Sequence, residues 1–440
     1  MTTRRNLLRS ALFGAGFLGL RSLATGIPVS ILSRGKDALA DEMCSDASKA
    51  QFMILATSGN GDPLNANAPG TYFTSGPMAS ISHNQDPTMV PGSITLGGKG
   101  YTAAQPWTTK FTDPNILNRM TVWHMMTNTP VHPKEPDVLC LMDQTAPKEM
   151  LPSLLARQLA PCLGTIQNQP ITLGATSPSE GLSFQGQALP IIPPLALKST
   201  LTNPMTGQLA GVTSLQSLRD DTLSKINDIY RGSATKAQKA YLDSVITSQS
   251  QIRAIDQKLL DQLSSITDNS VASQVKAAVV LIQMAVTPVI AIHIPFGGDN
   301  HNDTLLATEA LQTNSGLQTI ADLMTALQGT SNAKGTMFDQ VSFASLNVFG
   351  RTLAGSHTDG RDHNPNHQVS ITIGKGFAGG VLGGLQPIGS DFGCTDIGSV
   401  KAVDTLASYG KTLMTAVGID EAYTNKVITS GSVITGALAP

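Results

Sequence analysis

Residues 357–367 read His-Thr-Asp-Gly-Arg-Asp-His-Asn-Pro-Asn-His, three histidines and two aspartates in eleven positions. Upstream, Asp299 and His301 stand two apart in the polar run Pro295-Phe296-Gly297-Gly298-Asp299-Asn300-His301-Asn302-Asp303. Five of the eight histidines fall between His293 and His367. Imidazole nitrogen and carboxylate oxygen together suit borderline divalent ions such as zinc, manganese or iron. The same residues also suit a hydrogen-bonded polar loop, in which Asp362 caps backbone amides and the histidines lie on the surface.

For these groups to meet, the segments carrying them must end at one edge of the fold. Residues 289–294 (Val-Ile-Ala-Ile-His-Ile) form an apolar run of strand length that breaks into the Asp299 segment. Residues 341–348 form another, ending at Phe349-Gly350-Arg351-Thr352, and residues 369–373 follow His367. Residues 51–57 read as a buried first strand that opens into Ser58-Gly59-Asn60-Gly61-Asp62. Short apolar runs alternating with helical stretches are the pattern of an α/β sheet. In open sheets of that class, ligands bind beyond the carboxyl ends of the strands. The polar clusters after Ile294, after Val348 and before Val369 are therefore expected to share one site.

The remaining elements are read more coarsely. A helix from Val271 to about Val286 is stopped by Pro288. Residues 120–126 and 137–142 are weaker strand candidates. Residues 165–210, rich in Pro, Gly, Gln and Ser, read as long surface loops. In 212–268, Leu215, Leu218, Ile226 and Ile229 suit one helix face, and Leu242, Val245, Ile246, Ile252 and Leu259 suit another. That block reads as a helical excursion outside the sheet.

These motifs, in this order, resemble the exported bacterial proteins catalogued as domain of unknown function 1501, relatives of sulfatases and alkaline phosphatases. Ser58-Gly59-Asn60-Gly61-Asp62-Pro63-Leu64-Asn65 is similar to the family's glycine-rich turn, and Gly297-Gly298-Asp299-Asn300-His301 to its Gly-Gly-Trp-Asp-Thr-His. Phe349-Gly350-Arg351-Thr352 and Gly360-Arg361-Asp362-His363 match its most specific motifs, and residues 411–420 resemble its last helix. The resemblance implies an alkaline-phosphatase-like α/β fold, with a mostly parallel central sheet and helices on both faces. It implies a divalent metal (zinc, manganese or calcium) held by Asp299, His301, Asp362 and His363, with Asp62 at the place of the superfamily's first-strand aspartate. Arg351 or Arg361 would contact an anionic ester through the planar guanidinium fork.

The departures from the family narrow that expectation. Val348 stands where the family carries a glutamate, so one carboxylate of a second metal site is missing. The family's Trp before Asp299 is absent, as is the sulfatase Cys-x-Pro-x-Arg motif. The expectation is a one-metal hydrolase of a sulfate or phosphate ester. The alternative is a catalytically degenerate relative acting as an exported binding or structural protein.

The first forty residues bear on location. Arg4-Arg5 precede Asn6-Leu7-Leu8-Arg9, an interrupted apolar run follows, and Ala38-Leu39-Ala40 offers a small-x-small cut site. Together these read as a removable twin-arginine (Tat) signal, residues 1–40, ahead of a single domain at 41–440. The Tat translocase is the expected partner during export, and the location periplasmic or extracellular. A net charge of −2 lays down no basic footprint for nucleic acid. No later apolar run approaches the ~20 residues of a spanning helix, and Cys44 follows no lipobox, so no stable membrane anchor is expected. Only 14% of residues are charged, and 41% are hydrophobic, enough for a sizeable core. Of Cys44, Cys140, Cys162 and Cys394, the nearest pair, Cys140 and Cys162, is the expected disulfide. Replacing Arg4 and Arg5 together by lysine should strand the precursor in the cytoplasm, as read by cell fractionation. Normal export of that variant would overturn the Tat reading.

Overall fold

The computed structural model describes residues 48–440, except 147, 166, 176–177, 297–298, 333, 356–358 and most of 203–256. The expected signal, residues 1–40, and most of the 212–268 block lie outside the described residues. Of that block, the helix Gln257–Ser264 is seen.

Eight strands form one sheet: β1 (Phe52–Ser58), β2 (Met120–Met125), β3 (Ile171–Leu173), β4 (Ile191–Ile192), β5 (Val289–His293), β6 (Val341–Asn347), β7 (Gln368–Ile373) and β8 (Gly380–Leu382). Their order across the sheet is β8-β2-β7-β6-β1-β5-β3-β4. The three strands read most clearly from the sequence are central neighbours. β1 pairs in parallel with β6 and with β5, in a register that sets Ser58 beside Asn347 and Thr57 beside His293. Their carboxyl ends therefore share an edge. β7 runs antiparallel to both β6 and β2, while the other paired strands are parallel. The protein is thus α/β, with a mixed and mostly parallel central sheet.

Burial on both faces explains the unbroken apolar runs. Every residue of β1 is buried. Ile54, Ala56, Ile290, Ile292 and Phe343 point to one face and pack against α3 (Val271–Gln283) and α4 (Ala307–Gln328). Met53, Leu55, Val289, Ala291 and Leu346 point to the other, toward α2 (Leu151–Leu163) and α5 (Thr405–Ala416). Each of these Val, Leu, Ile, Met and Phe side chains contributes about 1.5–3 kcal/mol when removed from water. The Ser270 hydroxyl caps α3 by accepting the Ser273 N–H. That helix stops at Gln283, slightly short of the expected end, because Ala285 adopts φ 46° ahead of Pro288. At α4 the cap comes from upstream: the Asp303 carboxylate accepts N–H bonds from Thr308 and Glu309 at 2.8 and 2.9 Å.

Several expectations are corrected. Residues 137–142 are not a strand; α1 (Glu135–Leu139) carries Pro136, Glu135 and Asp137 in its first turn, all helix-starting signals. The segment 165–210 is not only surface loop, since it supplies β3 and β4, which are too short to show a pattern. Cys140 and Cys394 are free thiols while Cys162 is disulfide-bonded, so the expected Cys140–Cys162 bridge is absent. Closeness in sequence does not bring Cβ atoms within bridging range.

Beyond the sheet edge, Gly350–Arg351 pairs antiparallel with His363–Asn364, and Asp62 bridges to Gly350. This small ladder sets Arg351 opposite His363. A Cβ on Gly350 would lie 1.8 Å from the His367 carbonyl oxygen, which is backbone and cannot step aside. Gly350→Ala should therefore cost at least about 3 kcal/mol in urea unfolding. A loss under about 1 kcal/mol would contradict the tight fit.

Candidate metal centre

Four side chains converge past the shared strand edge. Asp299 and His301 come from the loop after β5, and His363 from the ladder that follows β6. The fourth, His132, comes from the turn His132–Lys134 after β2. Asp299, His132 and His363 offer ligand atoms that all lie within 4.8 Å of one another. His301 Nε2 lies 2.9 Å from His363 Nε2 and 3.1 Å from an Asp299 oxygen.

The outer partners decide which nitrogens carry hydrogen. His363 Nδ1 is 2.6 Å from the Pro130 carbonyl oxygen, and His132 Nδ1 is 2.6 Å from that of Gly59. A carbonyl only accepts, so both Nδ1 atoms donate and both Nε2 atoms carry lone pairs. His301 Nδ1 likewise donates to Asp362 at 3.0 Å. The His132 and His363 lone pairs thus face the Asp299 carboxylate, with His301 Nε2 set against His363 and Asp299. His132 Nε2 is buried without a hydrogen-bond partner, 3.8 Å from Asp299. Desolvation, joined by the charges of Arg351, His132 and His301, lowers the His363 pKa against the pull of the Pro130 hydrogen bond, and favours the neutral ligand form. Tetrahedral ligands around zinc sit about 3.3 Å apart, close to the spacing of His301, His363 and Asp299. The donor set fits a divalent cation.

Arg351 supplies positive charge at the rim. It is fully buried, its guanidinium lies 3.4 Å from Asp299, and it donates to the Asn60 carbonyl. The Phe349 ring packs against it and against His132 and His363.

The remaining sequence candidates have other work. Asp362 has an 85% exposed side chain and stands behind His301, orienting its ring. Asp62 does not join the centre: it is fully buried, and its two oxygens accept the Leu64 and Val369 N–H groups at 2.9 and 2.7 Å. Burial pushes its pKa up to about 7 despite those bonds. Arg361 does not face the centre either. It is 4% exposed, pairs with buried Glu309, and donates to the Thr352 and Ser82 carbonyls. Gly360, at φ 87°, lets this strand pass close to Asn300, where a Cβ would lie 2.1 Å from a carbonyl oxygen. His357 lies outside the described residues. His132 went unread because Val131-His132-Pro133 carries no motif. The strand-end rule applied to residues 120–126 would have found it, since β2 ends at the same edge.

No family model, curated protein or solved structure matches the chain.

Asp62→Asn leaves one of two buried N–H groups facing an amide hydrogen and should cost about 1–3 kcal/mol, with metal content unchanged. Because folding raises the Asp62 pKa, its protonated form stabilises the fold at low pH. That contribution is lost as pH rises from the unfolded value through about 7. The penalty of the substitution, from urea unfolding, should shrink from about pH 4 to about pH 8. A constant penalty would contradict the raised pKa.

Proposed function

We propose that this chain is an exported, metal-dependent hydrolase of a sulfate or phosphate ester, on the alkaline-phosphatase-like fold that its resemblance to the domain of unknown function 1501 family implies. The observation that carries the reading is the convergence of the His132 and His363 lone pairs on the Asp299 carboxylate, with the outer hydrogen bonds of both rings already made and His301 Nε2 beside His363 and Asp299. When bound, a divalent ion such as zinc, manganese or calcium supplies charge stabilisation at a tetrahedral phosphorus or sulfur centre.

The chain's own residues divide the remaining work. His132, His301, His363 and Asp299 hold the ion, while Asp362 and the Pro130 and Gly59 carbonyls fix the ring orientations. Arg351, buried beside Asp299, sets positive charge behind the place of the ester's anionic oxygens, and Phe349 keeps water from the ring edges. Val348 is buried in the core and adds no ligand, which favours one ion over two. That same residue favours the second reading, an exported binding protein that keeps the ion without turnover. The Tat translocase would carry either protein out folded, to the periplasm or beyond.

His363→Ala should remove bound metal, measured by elemental analysis, and reduce hydrolysis of p-nitrophenyl phosphate or sulfate to background, with the circular dichroism spectrum unchanged. Asp362→Asn should weaken metal affinity or activity about 10–100-fold. Metal-replete wild-type protein that turns over neither ester would overturn the enzyme and leave the binding protein. A His363→Ala chain with undiminished metal would overturn the centre.

A further inference from the structure

Two further histidines, outside the centre, stack on each other out of reach of water. His124 on β2 and His367, the residue before β7, are each 0% exposed, and their ring centroids lie 5.1 Å apart. His124 Nε2 is 2.8 Å from the Pro69 carbonyl oxygen, and His124 Nδ1 is 2.8 Å from His367 Nε2. The first contact fixes the rest. A carbonyl only accepts, so His124 keeps its hydrogen on Nε2 and offers a lone pair at Nδ1, to which His367 donates from Nε2. His367 Nδ1 is then a lone pair, buried and without a hydrogen-bond partner.

This chain of bonds is sound only while both rings are neutral. A proton added at His367 Nδ1 makes an imidazolium whose new N–H faces no acceptor. One added at His124 Nδ1 sets two N–H groups against each other. Among the described residues, the titratable groups on the surrounding elements are engaged elsewhere. Asp391 binds the Leu353 and Ala354 N–H groups, Tyr101 the Val381 N–H and Cys394 the Thr405 side chain. On the ladder, Arg351 faces Asp299 and His363 the Pro130 carbonyl. Asp62 binds the Leu64 and Val369 N–H groups, and burial keeps it neutral in acid. No counter-charge therefore meets an added proton. Burial lowers the His124 pKa to about 4 against the pull of the Pro69 bond, and holds that of His367 well below its ordinary value, with His124 adding to the effect.

The pair fastens three segments remote in sequence: β2, the approach to β7 and the turn after β1. Gly70, at φ 94°, brings that turn directly onto the ring, since a Cβ there would lie 2.7 Å from His124 Nε2. Asn65 Nδ2 donates to the His367 carbonyl at 3.4 Å and to the Arg351 carbonyl at 2.7 Å, joining the same backbone to the ladder. We propose that His124 and His367 form an acid-opened latch, which when neutral clamps residues 65–70 and the ladder to the sheet and when protonated releases both. Folding lowers both pKa values, so the stabilisation is full above the unfolded value of 6.5 and is lost as pH falls through about 4. Neither ring is a ligand of the histidine centre, and the latch stands whether or not that centre holds an ion.

The test uses the full chain in chelator, so that metal release from the centre does not enter. Urea unfolding at a series of pH values gives the protons taken up on unfolding from the slope of stability against pH. Near pH 5, H124Q/H367Q should take up about two fewer protons than wild type, and H367Q about one fewer. Amide exchange supplies a second reading. From pH 7 to pH 5, protection of residues 65–70 and 363–367 in wild type should fall at least about tenfold, to below that of β1 and β5, and H367Q should lack most of that fall. Should neither variant fold, wild-type exchange alone decides. Proton uptake equal in wild type and variants, or protection at 65–70 that does not change between the two pH values, would overturn the latch.

Discussion

A neutral imidazole has one N–H, and in three histidines of this protein it is spent on an outward partner: the Pro130 carbonyl for His363, the Gly59 carbonyl for His132 and the Asp362 carboxylate for His301. What remains inside is lone pairs, 2.9 Å apart between His301 and His363, with Asp299 beside them. Without positive charge between them such atoms repel. The backbone carbonyls come from the turn after β1 and the segment after β2, so the tautomers are set by strand connections remote in sequence.

Those connections are themselves pinned by buried charge. Arg361 and Glu309 form an ion pair that is 4% and 0% exposed, and Asn67 and Asn84 donate to the same carboxylate. Removing one partner of such a pair commonly costs about 3–5 kcal/mol, because the other is left charged and unpaired. Asp62 does similar work, tying the turn after β1 to the start of β7 through two backbone N–H groups. Two residues that look chemical in sequence thus build the frame around the centre, and Arg351, buried as deeply, is the arginine left at its rim.

Legibility followed the strength of local signals. β1, β5 and β6 are long apolar runs with polar breaks, and their adjacency follows from the strand-end rule once each is recognised. β3 and β4, of three and two residues, carry no periodicity, and α1 looks apolar enough to pass for a strand. Asp299, His301 and His363 stood out because histidine and aspartate cluster there. His132 stood out in nothing but its position after a strand.

By itself the sequence determined the α/β class, the order of the central strands along the chain and the donor types available at one edge, because hydrophobic periodicity and residue chemistry are local properties. Tertiary structure decided which donors meet. Asp62, Asp362 and Arg361 have the same chemistry as ligands or anion contacts wherever they stand. Whether a carboxylate faces a cation, an imidazole or a backbone N–H depends on neighbours up to hundreds of residues away, as with Asp62 and Val369. The reversed direction of β7 belongs to the same class of fact. It brings the segment after His363 back to the edge where β1, β5 and β6 end, and no local pattern encodes strand direction.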